Sequence, residues 1–410
     1  MKSSIPLTIC MFSNLYPPIH SGSSTQCAQL AVELTLRGCK VIVITSRIDR
    51  ESPSFELANG VYIYRIPCLR LPRMSIALNF PWLNVTFTPS NTRRIREILK
   101  AHPPDIIHLH NHMFDMAFHA TSMARRLRKP FVITIHTIIK HPNRLYNLVL
   151  AIFDRLLLKH FVIHRADILI SPDRIISDYI EHAFGSRKAK LIPYGIYEPP
   201  FPQLEKMTAL RNHYRLGNGP VILSLGHLHE IRNRRELIEV LPQLITHFSN
   251  LRLLIVGDVG TDSAEKLAIQ LGVRNHIIFA GAVPYAEVSN FLGVADVEAH
   301  WFDRSHPHRS LGIAAQEAMA AGKAVIGNAD ENLYGKGILR NGENVILIDP
   351  ADTEMLVWQF IDILVSDKKR KSIGKNAQNT MRRHFSWKVI GSQTLALYQM
   401  IRKLERENID

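Results

Sequence analysis

One carboxylate in this sequence stands out because of its neighbours. Glu317 lies in the run LGIAAQEAMAAGK, in which alanines let a helix pack closely against a sheet and Gly322 suits the position after the helix end. A carboxylate in such surroundings is poorly solvated and needs a partner. A ribose diol is one candidate, because a carboxylate accepts two hydroxyl protons side by side. A nearby lysine or arginine is the alternative.

Two segments place small or charged residues just before a predicted helix. In the loop Tyr16–Thr25, Gly22 would let a phosphate approach the backbone N–H groups of a helix N-terminus. In the segment Leu223–Arg235, several basic side chains follow a buried strand and precede a helix, an arrangement that suits a diphosphate clamp. An ordinary turn in the first case, and a solvated basic turn in the second, are the alternatives.

Histidines end two of the predicted strands. His108, His110 and His112 alternate in DIIHLHNH, and His136 ends FVITIH. At the carboxyl end of a parallel strand, a histidine can hydrogen-bond a sugar hydroxyl, which is the role we predict for His136; a purely structural histidine is the alternative. A metal site would need a further ligand, and no carboxylate completes an obvious set.

Apolar strands alternate with helix-like stretches along the chain. This pattern is typical of parallel sheets covered by helices on both faces, and it predicts an α/β protein of two doubly wound, Rossmann-like domains facing across a cleft. The proline-rich stretch 193–202 marks the seam, which gives domains 1–195 and 203–385. The predicted strands are Leu7–Phe12, Val41–Thr45, Ile106–Leu109, Phe131–Ile135, Ile168–Ser171, Val221–Leu225, Leu251–Val256, Ile277–Ala280, Val297–His300 and Ala324–Ile326.

Composition narrows the class of protein. Of the 410 residues, 46% are hydrophobic and 21% charged, which is typical of a globular chain. No apolar run reaches the roughly 18 residues of a membrane span, the first residues lack a cleavage site, and the four cysteines form no CxxC pair, so we expect a cytoplasmic protein. A net charge of +14 favours nucleotide diphosphates or acidic lipids as partners. Nucleic acid is not expected, because no aromatic residues interleave the basic clusters.

The stretch Leu145–Lys159 is leucine-rich, amphipathic and next to arginines. We expect a helix packed into the core. The alternative is an interfacial helix that contacts an anionic membrane and a lipid-linked acceptor.

These residues resemble a known family. LGIAAQEAMAAGKAVI resembles the signature of the GT-B retaining glycosyltransferases of family 4 (glycosyl transferases group 1), and LYPPIHSG, DIIHLHN, ITIHT and KLIPYGI resemble further segments of it along nearly the whole chain. The resemblance implies transfer of a sugar with retention, a nucleotide-sugar donor held mainly by the C-terminal domain, and no cofactor or obligatory metal. It also implies a final helix, within residues 386–410, that packs back on the N-terminal domain.

The resemblance implies site residues as well. His136 matches the sugar-contacting histidine and Glu317 the carboxylate that holds the ribose, while His227 and Arg232 match the clamp on the leaving diphosphate. Val283 lies where the family's backbone meets the base. The remaining positions predicted to bind the donor are Gly22, Asp303, Ser310, Leu311 and Gly312.

The sequence departs from the family pattern beside these positions. Arg309 stands eight residues before Glu317, where the family usually has an acid, and Asp303 is the candidate substitute. Asn233 replaces the usual glycine after Arg232. The leading hypothesis is transfer from a nucleotide-diphosphate sugar to a hydroxyl of a glycan, glycolipid or small molecule. The alternatives are a non-catalytic sugar-nucleotide-binding relative or subunit, and a GT-B sugar-nucleotide epimerase.

Overall fold

The chain forms two compact units. The computed structural model describes residues 6–19, 21–71, 84–139, 143–185, 189–226, 234–257, 263–302 and 310–407. The first unit comprises Met1–Gly195 and Trp387–Asp410, and the second comprises Ile196–Ser386. The chain passes from the first unit to the second inside the proline-rich stretch 193–202.

The first unit is built on an eight-stranded sheet in the order β10-β9-β8-β7-β1-β2-β4-β3. All pairs are parallel except β3 with β4, and β5 pairs with β6 in a separate antiparallel ladder. The strands are β1 (Thr8–Ser13), β2 (Lys40–Arg47), β3 (Phe55–Ala58), β4 (Val61–Pro67), β5 (Leu69–Arg70), β6 (Asn84–Val85), β7 (Ile106–His110), β8 (Phe131–Thr134), β9 (Ile168–Ser171) and β10 (Ala189–Leu191).

Helices cover both faces of this sheet and bury two apolar clusters against it. They are α1 (Gly22–Leu36), α2 (Pro89–Ala101), α3 (Met116–Leu127), α4 (Arg144–Ile152), a π-helical turn (Phe153–Leu158), α5 (Lys159–Phe161), a 3-10 turn (Ile163–Arg165) and α6 (Arg174–Phe184).

The second unit is built on a six-stranded, fully parallel sheet in the order β13-β12-β11-β14-β15-β16. Its strands are β11 (Val221–Leu225), β12 (Arg252–Val256), β13 (Ile277–Gly281), β14 (Val297–His300), β15 (Ala324–Gly327) and β16 (Ile346–Leu347). Its helices are α7 (Leu204–His213), α8 (Arg235–Glu239), α9 (Leu241–His247), α10 (Ser263–Gln270), α11 (Val288–Val294), α12 (Ile313–Ala320), α13 (Thr353–Val365) and α14 (Asp367–His384), with 3-10 turns at Arg274–His276 and Tyr285–Glu287.

The final helix, α15 (Trp387–Glu407), belongs to the first unit. Its buried Tyr398 joins the cluster that contains Leu30 and Leu34 of α1. A side chain at Gly391 would come within 2.5 Å of the Glu33 side chain, so glycine allows α15 to approach α1 closely.

Local chemistry explains most element boundaries. Ser21 and Ser24 form a reciprocal capping box at the start of α1, and Gly38 adopts the left-handed conformation after its end. The α/β class with two parallel sheets is confirmed. The β3–β4 hairpin was not among the predicted strands, and the helix expected over Leu145–Lys159 is interrupted by the π-helical turn. No helix among the described residues is long and apolar enough to cross a membrane.

Candidate functional site

Glu317 lies at the carboxyl edge of the second sheet, on helix α12. Gly312 is the N-cap of α12 and adopts an extended conformation, and the helix packs against β14 and β15. Alanines flank the carboxylate on the buried side, and the side chain itself is half-buried. Burial raises the pKa of Glu317, and a hydrogen bond from Tyr285 opposes that rise.

The partner of Glu317 within the described part of the chain is a tyrosine. The Tyr285 hydroxyl donates to Oε1 of Glu317 at 2.8 Å, while 65% of the Tyr285 residue is exposed. Tyr285 opens the 3-10 turn that follows β13, two residues after Val283. Among the described residues, Glu317 is therefore paired with a tyrosine and not with the lysine or arginine of the alternative. The hydrogen bond joins the predicted base-contacting segment to the predicted ribose-holding carboxylate.

The residues that precede α12 are held by the core of the second unit. Leu311 is buried, and its carbonyl accepts hydrogen bonds from the Gln316 amide at 3.0 Å and the Tyr334 hydroxyl at 3.3 Å. Ser310 is half-buried beside it. The backbone at positions 310–312 is therefore rigidly supported at the start of a helix, where N–H groups can face an anion.

Several predicted donor residues lie outside the described residues. They are His227, Arg232, Asn233, Asp303 and Arg309.

Arg234, which follows the predicted diphosphate clamp, is described and buried. Its guanidinium donates to the Ser224 hydroxyl at 2.6 Å and to the Gly226 carbonyl at 3.1 Å. This arginine therefore anchors the end of the loop after β11 to the strand itself.

In the first unit, His136 follows β8 and has both ring nitrogens engaged. Its Nε2 lies 3.2 Å from Nδ1 of His110, and its Nδ1 lies 2.9 Å from the hydroxyl oxygen of Tyr194. The ring is nearly parallel to both neighbouring rings, at 22° and 14°. Burial, followed by the nearby His112, lowers the pKa of His136 to about 3. The imidazole is therefore neutral at physiological pH.

His108 and His110 continue the polar chain from His136 into the core. Their ring centroids lie 4.2 Å apart, and both side chains are buried. His108 is held by the Tyr398 hydroxyl at 2.6 Å on Nδ1 and by the Thr134 hydroxyl at 2.8 Å on Nε2. Burial lowers the pKa of His108 to about 3 and that of His110 well below its ordinary value. We call His108, His110 and His136 the histidine row.

His112 does not join this row. It is fully buried, and its Nε2 lies 3.3 Å from Oδ1 of Asp154 on the π-helical turn, whose other carboxylate oxygen accepts from the Tyr179 hydroxyl. A carboxylate does therefore approach one of the alternating histidines, which the sequence did not indicate. Among the described residues, no group of three or more His, Cys, Asp or Glu side chains is arranged to hold a metal ion.

Gly22 lies where the sequence placed it, at the start of α1. It is exposed, and an added Cβ would meet open space. The Ser21 hydroxyl accepts from the Ser24 N–H, so part of the helix terminus is already capped.

Sequence reasoning missed three aromatic residues: Tyr285 and Tyr194, which contact Glu317 and His136, and Tyr398, which holds His108 in the core. Tyr285 and Tyr194 each follow a proline at the carboxyl edge of a sheet, and Tyr194 lies in the proline-rich seam. This position, after a proline at the carboxyl edge of a sheet, was the sequence signal that could have indicated both tyrosines. The partner of Tyr398, His108, lies 290 residues away in sequence, so no local pattern indicates the contact.

Two family models match the chain. The model described as "Glycosyltransferase Family 4" matches residues 20–197, and the model described as "Glycosyl transferases group 1" matches residues 207–380. The chain belongs to the family 4 glycosyltransferases. It is an enzyme of the glycosyltransferase class, as the resemblance predicted.

Similar proteins agree with this assignment over nearly the whole chain. This glycosyltransferase is 25% identical to the phosphatidyl-myo-inositol mannosyltransferase of Mycobacterium tuberculosis, over 96% of each chain. It is 25% identical to the alpha-monoglucosyldiacylglycerol synthase of Acholeplasma laidlawii, over 91% of this chain and 92% of the relative.

A solved structure shares the fold. Anabaena Alr3699/HepE, in complex with UDP and glucose, superposes with a TM-score of 0.69 at 18% identity, covering 96% of this chain and 100% of that chain. The predicted GT-B fold of two Rossmann-like domains is confirmed.

Proposed function

We propose that this glycosyltransferase moves a sugar, with retention of anomeric configuration, from a nucleotide-diphosphate sugar to a hydroxyl of a lipid or glycolipid at an anionic membrane surface. The half-buried Glu317 carboxylate carries the donor part of this proposal. The exposed apolar helix α4 with the π-helical turn carries the acceptor part.

The Glu317 site supports a nucleoside ligand. Oε1 accepts from Tyr285 at 2.8 Å, and a carboxylate has room for further hydroxyl donors. The vicinal hydroxyls of a ribose supply two donors side by side. Val283 lies two residues before Tyr285 in the same segment, and its backbone is the proposed contact with the base. Anabaena HepE, which has the same fold, binds UDP.

The leaving diphosphate needs positive charge as the glycosidic bond breaks. We assign this role to Arg232, and to His227 when it is protonated, because both come shortly after β11 in the sequence. Gly22 and the supported backbone at Ser310, Leu311 and Gly312 are the proposed N–H contacts, and Asp303 is the proposed acid for the sugar hydroxyls. Departure of the diphosphate leaves an oxocarbenium-like sugar, which the acceptor hydroxyl attacks on the same face while its proton passes to an oxygen of the leaving diphosphate.

The acceptor proposal starts from an apolar surface that the core leaves uncovered. No residue of α4 is buried, and Leu145, Leu148, Val149 and Ile152 are between 51% and 67% exposed. Leu156, Leu157 and Phe161 continue the exposed row through the π-helical turn and α5. The expectation that this stretch packs into the core is wrong for α4, none of whose residues is buried, while the π-helical turn after it buries Leu158 and Asp154.

The charges around this surface favour an anionic bilayer over a second protein. Arg144, Arg155 and Arg165 are exposed at its margin, whereas its acid, Asp154, is buried against His112 and Tyr179. Exposed leucines beside arginines bind a membrane by inserting apolar side chains and attracting acidic headgroups. The two relatives named above are named for transfer to phosphatidyl-myo-inositol and for synthesis of a glucosyldiacylglycerol.

The proposed location is the cytoplasmic face of a membrane. Cys10, Cys27 and Cys39 are free and buried and Cys68 is free and half-buried, as expected for a reducing compartment. We propose that no metal or other cofactor is required, since basic side chains of the chain itself neutralise the leaving diphosphate.

A thermal-shift screen across UDP-, GDP-, ADP- and dTDP-sugars tests the donor proposal. A ligand at 100 times its Kd stabilises the folded state by about 2.7 kcal/mol, so one nucleotide class should raise the melting temperature of the wild type and not that of Glu317→Gln. If no nucleotide sugar shifts the wild type, the donor proposal fails. Binding without transfer to any acceptor would favour the non-catalytic alternative, and an epimerised donor in the absence of acceptor would favour the epimerase.

A further inference from the structure

The hydrogen bonds of His136 leave its ring little freedom. Nε2 faces His110 at 3.2 Å, Nδ1 faces Tyr194 at 2.9 Å, and Tyr194 follows β10 two strands away from β8 in the sheet. His136 as a whole residue is half-buried, although both of its ring nitrogens are engaged. A sugar hydroxyl at this ring therefore meets a side chain whose orientation is already determined.

Counting protons indicates which tautomer this arrangement holds. If Tyr194 donates its O–H to Nδ1 of His136, then the proton of the neutral His136 ring lies on Nε2. Nε2–H then donates to Nδ1 of His110, so each of the two contacts pairs one donor with one acceptor. If Nδ1 carried the proton instead, the Tyr194 O–H would have no acceptor among the described residues. His110 Nε2 lacks a hydrogen-bond partner in both arrangements. The tautomer with the proton on Nε2 therefore satisfies one more group.

The ionisation states agree with this ordering. Burial, with the charge of Asp173, raises the pKa of Tyr194, so its hydroxyl keeps the proton that it donates. A hydroxyl that donates to Nδ1 also blocks protonation there, which favours the neutral imidazole. The titratable groups next to His136 are His110, Tyr194 and His112. His108, Asp173 and Asp154 lie one contact further away, beside His110, Tyr194 and His112 respectively.

We propose that Tyr194 and His110 are positioning residues, which hold the His136 ring in one orientation with its proton on Nε2. His136 then contacts the transferred sugar through the accessible part of this residue, and it moves no proton. This inference rests on the proposed role of His136 at the sugar.

Tyr194→Phe tests the proposal because it removes one hydroxyl and little volume. We expect kcat to fall about tenfold with KM changed less than twofold, because a ring that can rotate misplaces the reacting sugar. In the wild type, imidazole 15N shifts should show a protonated Nε2 and an unprotonated Nδ1 on His136. In Tyr194→Phe the two tautomers should mix, while the imidazole should stay neutral at pH 5 because its burial and its neighbour His112, which lower its pKa, are unchanged.

Tyr398→Phe is the matched control. It removes the same kind of bond, a tyrosine hydroxyl on an imidazole Nδ1, from His108 in the same row. We expect a lower melting temperature, wild-type kcat and unchanged His136 nitrogen signals, since His108 does not contact the sugar.

Two results would overturn the proposal: Tyr194→Phe with wild-type kcat and unchanged His136 nitrogen shifts, or a Tyr398→Phe variant that loses as much kcat as Tyr194→Phe. The nitrogen shifts do not depend on turnover. A wild type that transfers no sugar would therefore contradict the proposed function while the 15N comparison still decides the role of Tyr194.

Discussion

The polar groups of the two candidate sites differ in how much of their hydrogen-bonding capacity is already used within the protein. In the first unit, the nitrogens of His136 and His108 are already bonded within the protein, and burial keeps the histidine row neutral. In the second unit, Glu317 is half-buried and bonded to Tyr285, a residue that is largely exposed. The first arrangement gives a rigid surface with little spare hydrogen-bonding capacity. The second keeps acceptor capacity for a ligand, so substitutions there should have the larger effect on binding.

Replacing Glu317 should therefore produce the largest loss. We expect Glu317→Ala to lower kcat/KM by at least about 100-fold, since a carboxylate that holds two hydroxyls makes charge-assisted hydrogen bonds of roughly 1.5 to 3 kcal/mol each. Circular dichroism should show an intact fold, because the side chain is not in the core. Initial rates over a range of donor concentrations measure the effect.

The control for Glu317 is its neighbour. Tyr285→Phe removes the partner of the carboxylate and keeps the ring, and we expect a loss of only a few-fold because the ribose hydroxyls remain available to Glu317. Equal losses in the two variants would mean that Glu317 acts through Tyr285 and not on the ligand.

The exposed helix distinguishes the first unit in a second way. Leu148 and Leu57 are each 58% exposed, but Leu148 lies on α4 and Leu57 on the edge strand β3. We expect Leu148→Glu to weaken binding to anionic vesicles at least about tenfold, since a leucine loses roughly 1.5 to 3 kcal/mol of apolar burial and the new charge is repelled. Vesicle flotation measures this. Leu57→Glu should bind like the wild type, and the membrane proposal fails if both variants do.

The histidine row should make stability depend on pH. The pKa values of His108 and His136 are lowered to about 3, while an unfolded chain has histidines near 6.5. Between these values the unfolded state binds protons that the folded state does not, so the free energy of unfolding falls as pH falls from about 6.5 towards 3. Asp173, with its pKa raised to about 6, opposes this by at most one proton.

Urea titrations at several pH values measure that dependence. Each extra proton taken up on unfolding contributes about 1.4 kcal/mol per pH unit, and we expect a net uptake of more than one proton near pH 5. Equal urea midpoints at pH 7.5 and pH 5 would contradict neutral burial of the row.

The smallest expected effect is that of a chelator. We expect EDTA to leave the transfer rate unchanged, because the leaving diphosphate is assigned to Arg232 and His227. A loss that Mg²⁺ or Mn²⁺ restores would show that a metal shares this role.

Much of the fold could be predicted because it rests on local signals. Predominantly apolar runs such as Val221–Leu225 and Ala324–Ile326 coincide with buried strands, and Gly322 lies after a helix end as expected. The β3–β4 hairpin escaped prediction because β3 is short and half-exposed, so it lacks the apolar run that marks a strand buried on both faces.

The sites were less predictable because their contacts join distant residues. Glu317 and His136 could be singled out from sequence, but their roles stay predictions. Their partners Tyr285 and Tyr194 lie 32 and 58 residues away. Periodicity misled at α4, since an amphipathic pattern alone does not tell whether core or membrane covers the apolar face.

The central claim is transfer of a sugar from a nucleotide-diphosphate sugar to a lipid hydroxyl at an anionic surface. The most direct measurement incubates the purified protein with radiolabelled nucleotide sugars and vesicles of total bacterial lipid, then partitions the products between organic solvent and water. The account predicts label in the organic phase with one nucleotide class, more of it with anionic than with zwitterionic vesicles, and none with Glu317→Ala. Label that enters only water-soluble acceptors, with or without vesicles, would contradict it.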